Sequence, residues 1–589
     1  MQESCQNHID NNIYIIVPIG IILLYSMKEL VLMVKEIIVI GAGLAGLTCS
    51  VKSASKNIHV KLFSPAQSER SQSVMAMGGI NAALNTKGED DSVNEHYTDT
   101  INAGQHINNH NAVKKLTNDA PEIIDWLSKL GTSFTRDENG NVDVRYFGGQ
   151  KKMRTAYAGA RTGKQILTAI NTECRKWEYK DKIKRYVGWR FLSLILDGNK
   201  ACRGVVMINE KTEEIRDFYA DFVVIASGGM NKVFGKISGS LHNDGFVSGK
   251  LLHQGVELAN MEMIQYHPTT IETPVKRMLI TEAARGEGGR LYTLRNGEKW
   301  YFMEEWYPEQ GALMPRDVVS RSIYRVCHEY GLGIDGENKV YLDLTHLDEK
   351  TVKIKLDEVY DVCMNYLNLD PTHEPIPIYP GVHYFMGGIR TDDDHKTNIE
   401  NLFAIGECSS QYHGANRLGG NSLLGAIHGG WVVAEQLEEI SCENDNSEKY
   451  EQILTCEYES YENWKELQKE DNNVSSYEIE NEIANIMNMT MGIYRTENEL
   501  KEGLDRLDSL ETINVNSHGC YYDYILLKSL VDIAKAMLSS ALARKESRGA
   551  HQRLDYPETS DEYLKTTVSS FDNDELRITF NDTEERMGW

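Results

Sequence analysis

Five short stretches concentrate side chains that could bind and protonate a small dicarboxylate: 265–269 (QYHPT), 281–289 (TEAARGEGG), 314–317 (MPRD), 383–388 (HYFMGG) and 413–422 (HGANRLGGNS). Arginine grips a carboxylate through two parallel N–H donors and stays charged, while histidine donates a hydrogen bond and adds positive potential. Two arginines and two histidines are enough to clamp two carboxylates. Each stretch sets its His or Arg beside glycine or proline, so the sequence places them on loops. Taken singly, each has a plainer reading: Glu282 and Arg285 at i, i+3 make a helical ion pair of a few tenths of a kcal/mol. Several such stretches in one chain favour the chemical reading. The histidines lack metal-ligand spacing and there is no H-E-x-x-H, so no metal is expected.

A cofactor-binding element must stand behind such a site, and residues 35–47 (KEIIVIGAGLAGL) supply it. An apolar run meets Gly41, Gly43 and Gly46, and then Leu44, Leu47 and Val51 follow at helical spacing. The order predicted is strand, tight turn and helix. The first glycine permits the turn, the second lets backbone approach a pyrophosphate, and the third packs helix on strand, with the helix N-terminus facing the phosphates. The second strand of a dinucleotide site ordinarily ends in an acid about 20 residues on. Here 60–64 reads VKLFS, so only the Ser64 hydroxyl could meet a ribose.

The chain has 589 residues, too many for one compact core, and a formal charge of -25. Acidic residues thicken after Glu438, which argues against nucleic acid, because phosphate binding needs a basic face. No two of the ten cysteines fall at C-x-x-C spacing, so neither a cluster nor a disulfide framework is expected and each reads as a small buried hydrophobe. An apolar stretch at 13–25 is broken by Pro18 and too short to span a bilayer. Residues 1–32 are expected to lie outside the fold, with Met33 the natural beginning.

Two helices are expected within 94–131 and strands at 201–208 and 220–226, the latter ending in Ser227-Gly228-Gly229. Between about 267 and 380 the composition shifts to prolines and aromatics, after which 401–406 (NLFAIG) returns to the buried-strand, glycine-turn pattern. One sheet is therefore interrupted by an insertion. The expected fold is α/β: a Rossmann-like domain (33–265 and 382–437) interrupted by an α+β capping domain (266–381), then a helical domain (438–550) and a tail region (551–589).

The run from about 34 to 567 resembles the flavoprotein subunits of succinate dehydrogenase and fumarate reductase, on RGEGG, HYFMGGI, GECSSQYHGANRLGGNSLL and ESRGAH (546–551) together. The resemblance implies FAD, with Gly41, Gly43 and Gly46 at its pyrophosphate, Ser64 near its adenosine ribose, and further contacts from Gly78, Gly79, Asp244, Glu407, Ser422 and Leu423. It implies substrate ligands at His267, Thr281, His383 and Arg417, a proton donor at Arg316, and a proton relay through Glu282 and Arg285. The implied chemistry is hydride transfer between flavin N5 and one alkene carbon of fumarate, with a proton delivered to its neighbour. An iron-sulfur subunit is the implied electron donor, with membrane association only through other subunits and a cytoplasmic location.

One residue departs from the family. Most members carry a histidine, bonded covalently to the flavin, where this chain has Gln72. An amide cannot form that bond, so FAD is expected to be non-covalent. Since the histidyl bond raises the flavin potential, its absence favours fumarate reduction over succinate oxidation. L-Aspartate oxidase shares the HPT, RGEG and HGANR motifs, and 554–558 (LDYPE) resembles its C-terminal region; ESRGAH, GGNSLL and 145–161 side with the reductase. A non-catalytic FAD module would not need the two arginines and two histidines.

Overall fold

The computed structural model describes residues 35–583, except 160, 274–275, 441–450, 468–473, 512–514, 517–520 and 573–574. The expectation for residues 1–32 lies outside the described residues. At the centre is a five-stranded parallel sheet in the order Leu402–Ala404, Phe222–Ile225, Glu36–Ile40, His59–Ser64, Ile183–Val187. Glu36–Ile40, Phe222–Ile225 and Leu402–Ala404 are short, nearly continuous apolar runs because both faces are covered there, while the edge strand Ile183–Val187 is largely polar. The helix Leu44–Ser55 covers one face and packs against the helices Thr162–Tyr179 and Asn421–Glu439. The strand from residue 402 returns to the sheet after more than a hundred residues of inserted chain, so the interrupted sheet read from the sequence is present.

The inserted part has its own apolar core, drawn wholly from residues between Ile271 and Tyr379. Its six-stranded sheet contains the long strands Ile264–Glu272 and Ile376–Phe385, paired antiparallel. The C-terminal region is helical, with Ser476–Thr490, Glu497–Glu511 and Tyr521–Ala543 packed together. The acidic tail holds a hairpin that composition did not reveal: Lys565–Asp572 pairs with Glu575–Asp582 and, on its other side, with Leu258–Ala259. Of the seven described cysteines six are buried, but Cys456 is exposed, against the expectation of a uniformly buried set.

One fully buried ion network ties these parts together. All five N–H groups of Arg544 are used: Nε donates to Glu262 (2.6 Å), Nη1 to Glu546 (2.8 Å) and the Tyr563 carbonyl (2.7 Å), and Nη2 to the Lys565 carbonyl (2.7 Å) and Thr567 Oγ1 (2.8 Å). Among the described residues, Arg544→Ala would leave Glu262 with only the Thr567 hydroxyl as a side-chain donor. An uncompensated buried charge of this kind costs about 3–5 kcal/mol. The variant should therefore melt well below the unaltered protein in a thermal scan; an unchanged melting temperature would contradict the reading.

Candidate active site

A cavity of about 610 Å³ runs from the first glycine turn to the arginines. Gly41 has φ +115°, and a Cβ there would lie 2.2 Å from the Ala226 carbonyl oxygen, so the turn admits only glycine. A Cβ on Gly43 would meet only Ser73 Oγ (3.5 Å) and Ser71 Cβ (3.9 Å), which leaves this backbone open to close approach. Gly46 does not line the cavity: its Cβ would strike the Gly41 carbonyl oxygen at 1.9 Å, so it serves helix-on-strand packing. The helix Leu44–Ser55 begins at Gly43 without a capping side chain, and so does the helix Asn421–Glu439 at Gly420. Leu44, Ser422 and Leu423 line the cavity, so two uncapped helix N-termini face it, an arrangement suited to a large anionic cofactor.

The remaining cofactor residues named from the sequence, Ser64, Gly78, Gly79, Asp244 and Glu407, line the same cavity. Ser64 Oγ donates to the Ala66 carbonyl. Asp244 accepts from Arg190 Nη1 (2.9 Å), the Tyr522 hydroxyl (3.0 Å) and the Phe246 N–H (3.0 Å), so this carboxylate is held largely by its own chain. Arg190 and Tyr522 also line the cavity, and sequence reading had missed both. Burial pushes the Glu407 carboxyl up to about 7, against the lowering effects of the Phe385 N–H and Arg417.

At the other end the residues expected to hold a dicarboxylate converge, and only some of them lie on loops. His267 and His383 lie on the paired strands Ile264–Glu272 and Ile376–Phe385, their rings 5.0 Å apart. Pro268 and Gly381 mark an irregularity in the pairing of these strands, where the register shifts between His267 and Thr270. Arg316 opens the helix Arg316–Tyr324, with Pro315 before it, and Arg285 sits in the short helix Ala283–Gly286. Of the four residues assigned to substrate, only Thr281 and Arg417 lie outside strand and helix.

Glu282 organises the cluster. Arg316 donates to its Oε2 from both Nε (2.9 Å) and Nη2 (2.6 Å), and Arg285 Nη2 stands 3.1 Å from its Oε1. Burial alone would raise the Glu282 carboxyl, but Arg316 and then Arg285 outweigh it, so the group stays ionised. Gln265 joins the two substrate-side arginines, its Oε1 accepting from Arg316 Nη1 (3.1 Å) and Arg417 Nη2 (3.0 Å). Its position within QYHPT was visible in the sequence, but a neutral amide gave no chemical signal there. Burial, followed by the charge of Arg316, drives Arg417 down to about 9. Burial first and the neighbouring arginines after it also hold His267 and His383 far below the ordinary range, as neutral imidazoles. His267 Nε2 and Arg417 Nε are buried with no hydrogen-bond partner among the described residues. Three buried guanidiniums around one ionised carboxylate, with such free donors, call for an anion in the cavity. Arg285 lies behind Glu282 and lines no part of this cavity.

The family FAD binding domain matches residues 36–423, and the family Fumarate reductase flavoprotein C-term matches 480–587. The chain is 41% identical over 552 residues to the succinate dehydrogenase flavoprotein subunit of Bacillus subtilis, covering 91% of this chain and 94% of that one. The chain belongs to the flavoprotein subunits of succinate dehydrogenase and fumarate reductase. As a member of this family it is an FAD-dependent oxidoreductase. It is also 32% identical to the fumarate reductase flavoprotein subunit of Haemophilus influenzae, over 93% of this chain and 94% of that one. A solved quinol fumarate reductase of E. coli superposes with a TM-score of 0.86 at 32% identity, covering 94% of this chain and 97% of that one. The flavoprotein fold read from the sequence, a parallel-sheet FAD-binding domain with a helical region after it, is therefore present. Among the described residues no helix is long and apolar enough to cross a membrane.

Proposed function

We propose that this flavoprotein reduces fumarate to succinate, with Arg316 as the acid and FAD held without a covalent bond. The arrangement of Arg316, Glu282 and Gln265 beside Arg417 and the paired histidines carries this reading. Bound FAD supplies the hydride. Arg417, His267, His383 and Thr281 hold the two carboxylates, and their positive field favours the charge that builds on the substrate as hydride arrives. Because Thr269 N–H donates to His267 Nδ1 (3.3 Å), this neutral ring keeps its proton on Nε2, free to donate to a carboxylate. Arg316, held in plane by Glu282, presents a proton to the neighbouring carbon, with Glu282 and Arg285 behind it as the relay cluster. The relatives carry the names of both directions, and Gln72 is what favours reduction. They are also named as subunits, which supports an iron-sulfur subunit as electron donor and any membrane contact, at the cytoplasmic face, through further subunits.

Side-by-side turnover assays test the reading. Reduced viologen with fumarate should give fast oxidation, succinate with an acceptor dye should give slower reduction, and L-aspartate with oxygen should give none. Aspartate turnover without fumarate turnover would overturn it, and turnover of neither substrate would leave a cofactor module.

The Gln72 amide supports a non-covalent cofactor by acting as a strap. Its Oε1 accepts from Asn231 Nδ2 (2.8 Å), the Ser240 N–H (3.1 Å) and Asn243 Nδ2 (3.1 Å), and its Nε2 donates to Glu407 (3.3 Å). Gln72, Asn243 and Glu407 all line the cofactor cavity. Acid precipitation should leave the flavin in the supernatant. Gln72→Ala should weaken FAD binding about tenfold, the worth of a net hydrogen bond or two. Fluorescence titration of the apoprotein with FAD measures this, and flavin in the acid pellet or an unchanged Kd would contradict it.

A further inference from the structure

The cofactor cavity has a nucleoside end, and the sheet register locates it. The glycine turn follows the strand Glu36–Ile40, and the neighbouring strand His59–Ser64 ends at Ser64, opposite Val187 of the edge strand Ile183–Val187. The chain then turns at Gly188, whose N–H donates to the Ser64 carbonyl (2.8 Å), and Trp189, Arg190 and Phe191 come to the cavity wall on this side. In a sheet of this kind the ribose lies beyond the end of the second strand, where an acid ordinarily receives its hydroxyls. Ser64 brings no charge there, and its own proton goes to the Ala66 carbonyl.

A carboxylate reaches this end from another part of the chain. Asp244 lines the cavity and is 7% exposed. Its Oδ2 accepts from both Arg190 and the Tyr522 hydroxyl, whereas its Oδ1 accepts only the Phe246 N–H among the described residues. One lone pair of Oδ1 is therefore left for a hydroxyl. Arg190 is itself fixed, because its Nε donates to Glu210 and its guanidinium lies over the Tyr522 ring, 4.3 Å from the centroid. Tyr522 stands in the first turn of the helix Tyr521–Ala543, in the C-terminal region. That helix packs against Phe246–His253, the helix Asp244 precedes, so closely that a Cβ on Gly249 would stand 2.7 Å from Ser529 Cβ.

We propose that Tyr522 and Arg190 are positioning residues of the nucleoside end: they aim Asp244 at the ribose of bound FAD, and through Tyr522 the C-terminal helical region is fastened to the adenosine half of the cofactor. The proposal rests on FAD as the cofactor and not on the direction of turnover. Asp244 then stands in for the acid that the second strand lacks, and its charge is held in place from two sides, by the strand side through Arg190 and by the helical region through Tyr522. A ligand that carries adenosine and pyrophosphate should steady the start of the helix Tyr521–Ala543. A ligand that carries only the flavin half should not.

Titrating the two halves of the cofactor separately tests this. The full-length apoprotein, made in a host starved of riboflavin, is titrated with FAD, ADP and FMN. Tyr522→Phe removes one donor and keeps the ring beneath Arg190. It should weaken FAD and ADP about tenfold each, the worth of one hydrogen bond to a charged group, and leave FMN unchanged. Arg190→Gln carries the same expectations should Tyr522→Phe not fold. Gln72→Ala, at the flavin end, should show the opposite pattern, weakening FAD and FMN and sparing ADP. Amide hydrogen exchange reads the coupling: ADP should slow exchange over residues 521–528 of the unaltered protein about tenfold, and FMN should not. Unchanged FAD and ADP affinities in Tyr522→Phe, a loss shared equally by FMN, or exchange over 521–528 that ignores ADP would each overturn the clamp. No part of this experiment uses fumarate, so an enzyme that fails to reduce fumarate would sink the proposed reaction and leave the clamp standing.

Discussion

Arg316→Ala is expected to lower fumarate reduction by about 10³-fold while leaving FAD bound, since both general acid catalysis and a local positive charge are lost at once. The side chain is bonded to Glu282 and Gln265 and to none of the glycines or helix ends that cradle the cofactor, so flavin content should not follow activity. Removing it leaves Glu282 with Arg285 and the Gly148 N–H as partners, which keeps the carboxylate compensated and the fold intact. Arg316→Lys should recover little, because an ammonium cannot make the two-point contact with Glu282 that sets the guanidinium plane. Flavin absorbance per chain and viologen-coupled turnover measure both halves of the expectation. An alanine variant retaining a tenth of the activity would remove Arg316 from the role of acid.

The second large effect is acid lability. His96, His395 and His551 lie outside the reaction cavity and are fully buried. Burial, with Arg154 adding to it, pushes His96 down to about 3. Burial brings His395 down to about 3 as well, against its bond to the Ala404 carbonyl, and His551 falls well below the ordinary range through burial and then Arg495 and Arg544. The unfolded chain takes up these protons as pH falls through 6.5, and the folded chain does not until far lower. Stability is therefore complete above pH 6.5 and is lost progressively below it. At pH 5 His96 and His395 each cost about 2 kcal/mol by linkage, and His551 adds to the loss in the same direction. Melting temperatures should be level above neutrality and drop steeply from pH 6.5 to 5. His395→Gln, or an equivalent neutral amide at His96, should flatten part of that slope; a slope unchanged by either would contradict the account.

The glycine turn was legible because its backbone leaves no choice of residue: positive φ at Gly41 and the 1.9 Å contact at Gly46 must be written as glycine in any sequence that folds this way. The arginines and histidines were legible by chemistry, and all four residues assigned to substrate do line one cavity. Their placement on loops held for Arg417 but not for His267 and His383, which lie on strands, or for Arg285 and Arg316, which lie on helices. Glycine and proline beside His267 and His383 mark a pairing irregularity inside long strands, and local sequence does not distinguish that from a loop. Gln265 escaped notice because a neutral amide acquires its role only when two distant arginines arrive on it. Tyr522 and Arg190 reach Asp244 from 278 and 54 residues away, a proximity that no local pattern encodes. The C-terminal hairpin was hidden because Lys565–Asp572 has three consecutive buried residues and no alternation to mark it as a strand, and its pairing partner Leu258–Ala259 lies some three hundred residues earlier.

The central claim, that a non-covalently held flavin and Arg316 together reduce fumarate, is tested most directly by single turnover. The purified flavoprotein is reduced in the absence of oxygen and mixed with fumarate, and flavin absorbance is followed. The account predicts rapid reoxidation with one succinate formed per flavin, and reoxidation about 10³-fold slower in Arg316→Ala. Reduced flavin that persists in the presence of fumarate, or equal rates in the two proteins, would contradict it.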